Sequence, residues 1–93
     1  MSPSELAAGV VAYKAACADA GRAPGPVCLR HMPNRPGSDQ RTVLSGTPDE
    51  QAADIRAYAE AGLDELMLAM PWRSPDELAT SLRAFTRDVV PRV

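Results

Sequence analysis

Apolar residues recur at helical spacing in the first segment: Leu6, Val10, Tyr13 and Cys17 fall four, three and four positions apart, one stripe along a helix. The segment opens on Ser2-Pro3-Ser4-Glu5. Ser2 is a capping hydroxyl, Pro3 suits the first helical position, and Glu5 is placed to return to the cap's own amide. Gly21 supplies a left-handed stop, so a helix is predicted over residues 3–20. The device then recurs twice. Thr47-Pro48-Asp49-Glu50 leads a stripe of Ala52, Ile55, Tyr58 and Ala59 that ends at Gly62, predicting a helix over 48–61. Ser74-Pro75-Asp76-Glu77 leads Leu78, Leu82, Phe85 and Val89, predicting a helix over 75–90 that halts at Pro91.

The intervening segments have a different pattern. After the turn-forming run Arg22-Ala23-Pro24-Gly25-Pro26, the stretch Val27-Cys28-Leu29-Arg30-His31-Met32 is short and β-prone, a strand over 27–32. Residues 33–47 hold Pro33, Asn34, Pro36, Gly37, Ser38 and Asp39 and read as a long connection. The segment 63–70 ends in the unbroken apolar run Leu66-Met67-Leu68-Ala69-Met70, which predicts a strand buried on both faces, the habit of parallel sheets. Helix, strand, loop, helix, strand, helix requires a parallel strand pair joined by a right-handed crossover. Two such strands make a marginal sheet by themselves, so the pattern asks for further strands. A non-catalytic α/β segment that docks on a partner chain, or self-associates through its open strand edges, is one reading of that demand.

Composition narrows the field. The chain has 93 residues and a formal charge of −2, from 10 basic and 12 acidic side chains that alternate without a basic stripe, which disfavours a nucleic-acid partner. The apolar run at 66–72 is far short of a membrane span. Of the 45% hydrophobic residues, sixteen are alanine, so large core-forming side chains are scarce for a single domain spanning 1–93. The flanks of Cys17 and Cys28 favour two reduced, buried thiols and a cytoplasmic setting over a disulfide. One histidine and two scattered cysteines offer no metal-ligand spacing.

The run Gly46-Thr47-Pro48-Asp49-Glu50, followed by Ala57-Tyr58-Ala59-Glu60-Ala61-Gly62-Leu63-Asp64-Glu65-Leu66, resembles the C-terminal end of luciferase-like monooxygenases, with the deazaflavin-dependent subfamily nearest. Ala20-Gly21-Arg22-Ala23-Pro24 and the closing helix from Ser74-Pro75-Asp76-Glu77-Leu78 to Val89-Val90-Pro91 extend the likeness over most of the chain. The resemblance implies an α/β fold equivalent to the C-terminal quarter of a TIM barrel. It also implies an oxidoreductase that uses FMN or coenzyme F420 on a small organic substrate; the first six strands of such a barrel are missing, as in a truncated or split gene or in a chain that assembles with another, and a homo-oligomer or a complementing barrel chain is the partner expected.

Sites in such barrels lie at the C-terminal ends of strands. Those ends correspond here to His31-Met32, the loop 33–47 and Met70 through Ser74. His31 is either a hydrogen-bond donor and proton shuttle for a substrate or a structural imidazole. Trp72 offers a stacking surface and Arg73 a partner for phosphate or carboxylate; the alternatives are a rim cap and a solvated cation. The amides of Gly46 and Thr47, at a helix N-terminus, are a candidate phosphate hold or merely a cap. Asp64 and Glu65 stand at the start of a strand and read as solvated, with Met67 and Met70 as core fillers.

Overall fold

A computed structural model describes residues 2–31, 44, 46–68, 70 and 73–93. The described chain is mixed α/β: helix α1 (Pro3–Asp19), strand β1 (Cys28–His31), helix α2 (Pro48–Glu60), strand β2 (Glu65–Leu68), helix α3 (Pro75–Asp88) and a closing 3-10 turn (Val90–Arg92). Most of the predicted 33–47 connection lies outside the described residues.

Local chemistry sets the helix ends. Ser2 accepts from the Glu5 amide while the Glu5 carboxylate takes the Ser2 amide, and Thr47 and Glu50 repeat the exchange at α2. The third start departs from the predicted type: Ser74 accepts from the Glu77 amide, but the Glu77 carboxylate takes the amide of Arg73, one residue further out. At the C-termini of α1 and α2 a paired closure recurs. The Arg22 amide reaches Cys17 O and the Gly21 amide reaches Ala18 O; Leu63 reaches Tyr58 O and Gly62 reaches Ala59 O. That closure requires positive φ at Gly21 (69°) and Gly62 (104°). At Gly62 the close approach of α1 adds a second demand, since a Cβ there would lie 3.1 Å from Val10 Cγ1. α3 ends at Asp88, two residues short of the predicted boundary, because Pro91 is accommodated in a 3-10 turn rather than acting as a bare stop.

β1 and β2 form a parallel pair with Cys28 opposite Glu65, Leu29 opposite Leu66, Arg30 opposite Met67 and His31 opposite Leu68. The pair is anchored at its lower end by Asp64. Its carboxylate accepts the Val27 amide at 2.7 Å, while Val27 O receives the amides of Asp64 and Glu65. Asp64, expected to be simply solvated, therefore starts the ladder. Both strands begin later than predicted, at Cys28 rather than Val27 and at Glu65 rather than Leu63, and the residues that follow them, Met32 and Ala69, lie outside the described residues.

Burial also differs from expectation. Leu29, His31, Leu66 and Leu68 are half-buried on one face, whereas Cys28, Arg30, Glu65 and Met67 are exposed on the other. The continuous apolar run predicted two covered faces; the helices cover one, and Met67 remains 51% exposed instead of filling a core. The core is the seam where α1 meets the end of α2. Leu6, Val10 and the fully buried Tyr58 are joined there by Val27, Leu29, Leu44, Ala61 and Leu63. The outer part of the α1 stripe does not join it. Tyr13 is exposed and its hydroxyl instead accepts the Gly25 amide at 3.0 Å, tying the turn before β1 back to α1. Cys17 is half-buried and Cys28 exposed, both as free thiols, which corrects the expectation of two buried ones.

α3 attaches through its far end. Val89 is buried, and Ala84, Phe85 and Val89 line an open groove against Pro48 and Gln51 of α2. The closing turn is latched to α2: Arg92 pairs with Asp49 at 2.8 Å and Arg56 donates to the Arg92 carbonyl. Leu82, on the same apolar stripe, stays 48% exposed.

Candidate functional site

Connectivity places the C-terminal ends of β1 and β2 and the N-termini of α2 and α3 in one succession: His31, then Thr47 after the connection, then Leu68, then Ser74. The parallel pairing brings His31 beside Leu68. Among the described residues no hydrogen bond joins His31 to Gly46, Thr47 or Arg73. Arg73 precedes the Ser74 cap of α3 and does not line the groove against Pro48, which Met70 and Ser81 do. Its side chain is exposed, and its amide is held by the Glu77 carboxylate at 3.1 Å. Trp72 falls outside the described residues, as do Met32 and residues 33–43.

His31 shares the helix-side face with Leu29, so its imidazole is half-buried. Burial disfavours the charged ring and lowers its pKa below the ordinary 6.5, keeping it neutral near pH 7. A neutral imidazole in this position can accept or donate one hydrogen bond. It stands on the side of the sheet that the helices occupy, away from the open face.

At the N-terminus of α2 the amide pocket is already filled. The Glu50 carboxylate takes the Thr47 amide at 3.4 Å and the Thr47 hydroxyl at 3.2 Å, while Gln51 Nε2 donates to Gly46 O at 3.0 Å. Gly46 has φ +87°, and a Cβ added there would lie 3.0 Å from Glu50 Oε1. An incoming phosphate would have to displace this internal carboxylate, which supplies the same negative charge to the helix end.

The open face of the strand pair was missed as chemistry in the sequence. Period-two alternation, with Leu29 marking the core side, puts Cys28 and Arg30 together, and the parallel register adds Glu65 and Met67. The Cys28 thiol donates to Glu65 Oε2 at 3.8 Å. Partial desolvation against the sheet and the neighbouring Glu65 charge push the thiol pKa up from its ordinary value, so Cys28 stays protonated and weakly nucleophilic. No described residue pairs with Arg30 through a hydrogen bond or salt bridge.

Among the described residues no helix is long and apolar enough to cross a membrane, and no three ligating side chains cluster to hold a metal ion. Comparison with protein-family models, with curated proteins and with solved structures finds no match to this chain. The described fold and surface place it in one class: a small α/β chain with a one-sided parallel sheet.

Proposed function

We propose that the chain is a closing segment of a luciferase-like barrel, an oxidoreductase that uses F420 or FMN to move a hydride to or from an organic substrate, or to activate oxygen, with the remaining strands supplied from outside these 93 residues. The observation that carries this reading is the one-sided sheet. A parallel β1–α2–β2 unit is covered by helices on one face and bare on the other, which is the condition of a barrel wall opened along its strands. In the closed form, Cys28, Arg30, Glu65 and Met67 line the lumen. Arg30 is the residue there with a charge to offer a phosphate or an acidic cofactor tail, and the cofactor itself supplies the redox chemistry. His31, Gly46, Thr47 and Arg73 belong to the rim on this reading.

The test is binding followed by the cofactor's own fluorescence, with F420 and FMN titrated separately into the chain and retention checked by dialysis. Saturable quenching in the micromolar range, weakened about tenfold by Arg30→Ala, is expected. No quenching and no retention of either cofactor, in a sample that keeps its helical circular dichroism, overturns the proposal. A non-catalytic segment that docks on another chain is the second reading, and one observation favours it: the Thr47 amide is occupied by the chain's own Glu50 carboxylate.

A further inference from the structure

The register fixes the corners of the open face. Cys28 and Glu65 are opposite at one end, Arg30 and Met67 at the other, so the two charges occupy one diagonal and the two apolar side chains the other. All four are exposed. Such a face can meet a copy of itself about a two-fold axis lying in the plane between the sheets, in four ways. An axis along the strands sets Arg30 over the partner's Met67 and Glu65 over the partner's Cys28. An axis across them sets Arg30 over Cys28 and Glu65 over Met67 of the copy. Both leave four charges covered and unpaired, an expensive outcome. The axis along the charged diagonal stacks Arg30 on Arg30 and Glu65 on Glu65. Only the axis along the Cys28–Met67 diagonal places each Arg30 over the other copy's Glu65, with Met67 against Met67 and Cys28 against Cys28.

We propose that a second copy of this chain docks on the open sheet face in that arrangement, held by two reciprocal Arg30–Glu65 pairs around a small apolar centre. Strands about 4.8 Å apart with about 3.3 Å rise per residue put the diagonal near 36° to the strands, so the two sheets cross at roughly 70°. That is close to the orthogonal class of sheet packing. The docked pair is isologous, as a closed dimer requires. A face of four residues is small, so the association is weak and becomes visible only toward millimolar chain.

The proposal does not depend on the oxidoreductase reading. Sedimentation equilibrium of the full chain, from micromolar to about 1 mM, is expected to show a monomer–dimer equilibrium. Arg30→Glu and Glu65→Arg each leave the chain monomeric over this range, and the double variant restores the dimer. In a Cys17→Ser background, bismaleimidoethane is expected to join two copies through Cys28, and the yield falls with the Arg30→Glu change. Circular dichroism confirms that each variant keeps its helices. A chain that stays monomeric throughout the range overturns the proposal, and so does a dimer indifferent to both single substitutions. Cofactor binding by a strictly monomeric chain would overturn this docking while leaving the oxidoreductase reading standing.

Discussion

Replacing Gly62 with alanine perturbs two things at once, and the structure separates them. The residue has φ +104°, and an alanine there incurs backbone strain of about 1–2 kcal/mol. The new methyl also lies 3.1 Å from Cγ1 of Val10, which is buried in the core seam and has little room to retreat. Overpacking of this kind adds about 1–3 kcal/mol. Gly21 is the internal control: φ is +69°, yet nothing lies within 4 Å of its added Cβ, so Gly21→Ala carries the strain alone. Gly62→Ala is therefore expected to lower stability by about 2–5 kcal/mol and Gly21→Ala by about 1–2. For a chain with so small a core the first is a large share of the total. Urea unfolding by far-UV circular dichroism, at constant slope, reads both values. The double variant Val10→Ala with Gly62→Ala removes the crowding and should be less destabilised than the sum of its parts by about 1 kcal/mol or more. Equal midpoints for Gly62→Ala and Gly21→Ala, or strict additivity with Val10→Ala, would refute the steric argument.

Asp64→Ala deletes the carboxylate that holds the Val27 amide at 2.7 Å; a loss of about 1–3 kcal/mol is expected, with faster amide exchange at Leu29. The pKa of Cys28 is raised partly by Glu65, so Glu65→Gln should accelerate its reaction with Ellman's reagent at neutral pH in dilute chain, and an unchanged rate would remove Glu65 from the account. His31, whose folded pKa lies below 6.5, binds fewer protons folded than unfolded as pH falls past that value. Its contribution is therefore complete above pH 6.5 and declines on acidification; a proton NMR titration midpoint at or above 6.5 contradicts this. Thr47→Ala removes both hydroxyl contacts with Glu50 and should reduce stability by about 1 kcal/mol, measured by thermal melting.

Where the fold was legible, the signal was local. Ser2, Thr47 and Ser74 with their following prolines mark helix starts because capping involves residues three apart. Gly21 and Gly62 mark ends because only glycine adopts their backbone angles without strain. What was not legible depends on what the rest of the molecule covers. The run Leu66 to Met70 is as apolar as a doubly buried strand, but burial of its second face requires a layer that the described chain does not provide. The same limit hid the site. Arg30 sits between Leu29 and His31 in sequence, and only the register with β2 shows that it shares a face with Met67 while His31 turns toward the helices. Nor does a Thr-Pro-x-Glu start disclose whether its amides are open to a ligand, since Glu50 can cap its own helix or leave the position vacant with equal economy of sequence.

The register of the strand pair carries a consequence for how the chain assembles itself. Cys28 and Glu65 are neighbours in space but 37 positions apart along the chain, whereas the contacts that define α1, α2 and their caps span only a few residues. Helices bounded by such short-range signals form early, and a parallel pair that must close a loop of this length forms after them. The order reverses on opening: the ladder between β1 and β2 is the first structure to part while the helices persist. Whenever that ladder opens with the helices in place, two bare strand edges are exposed, and each can pair with a neighbour's strand as readily as with its own.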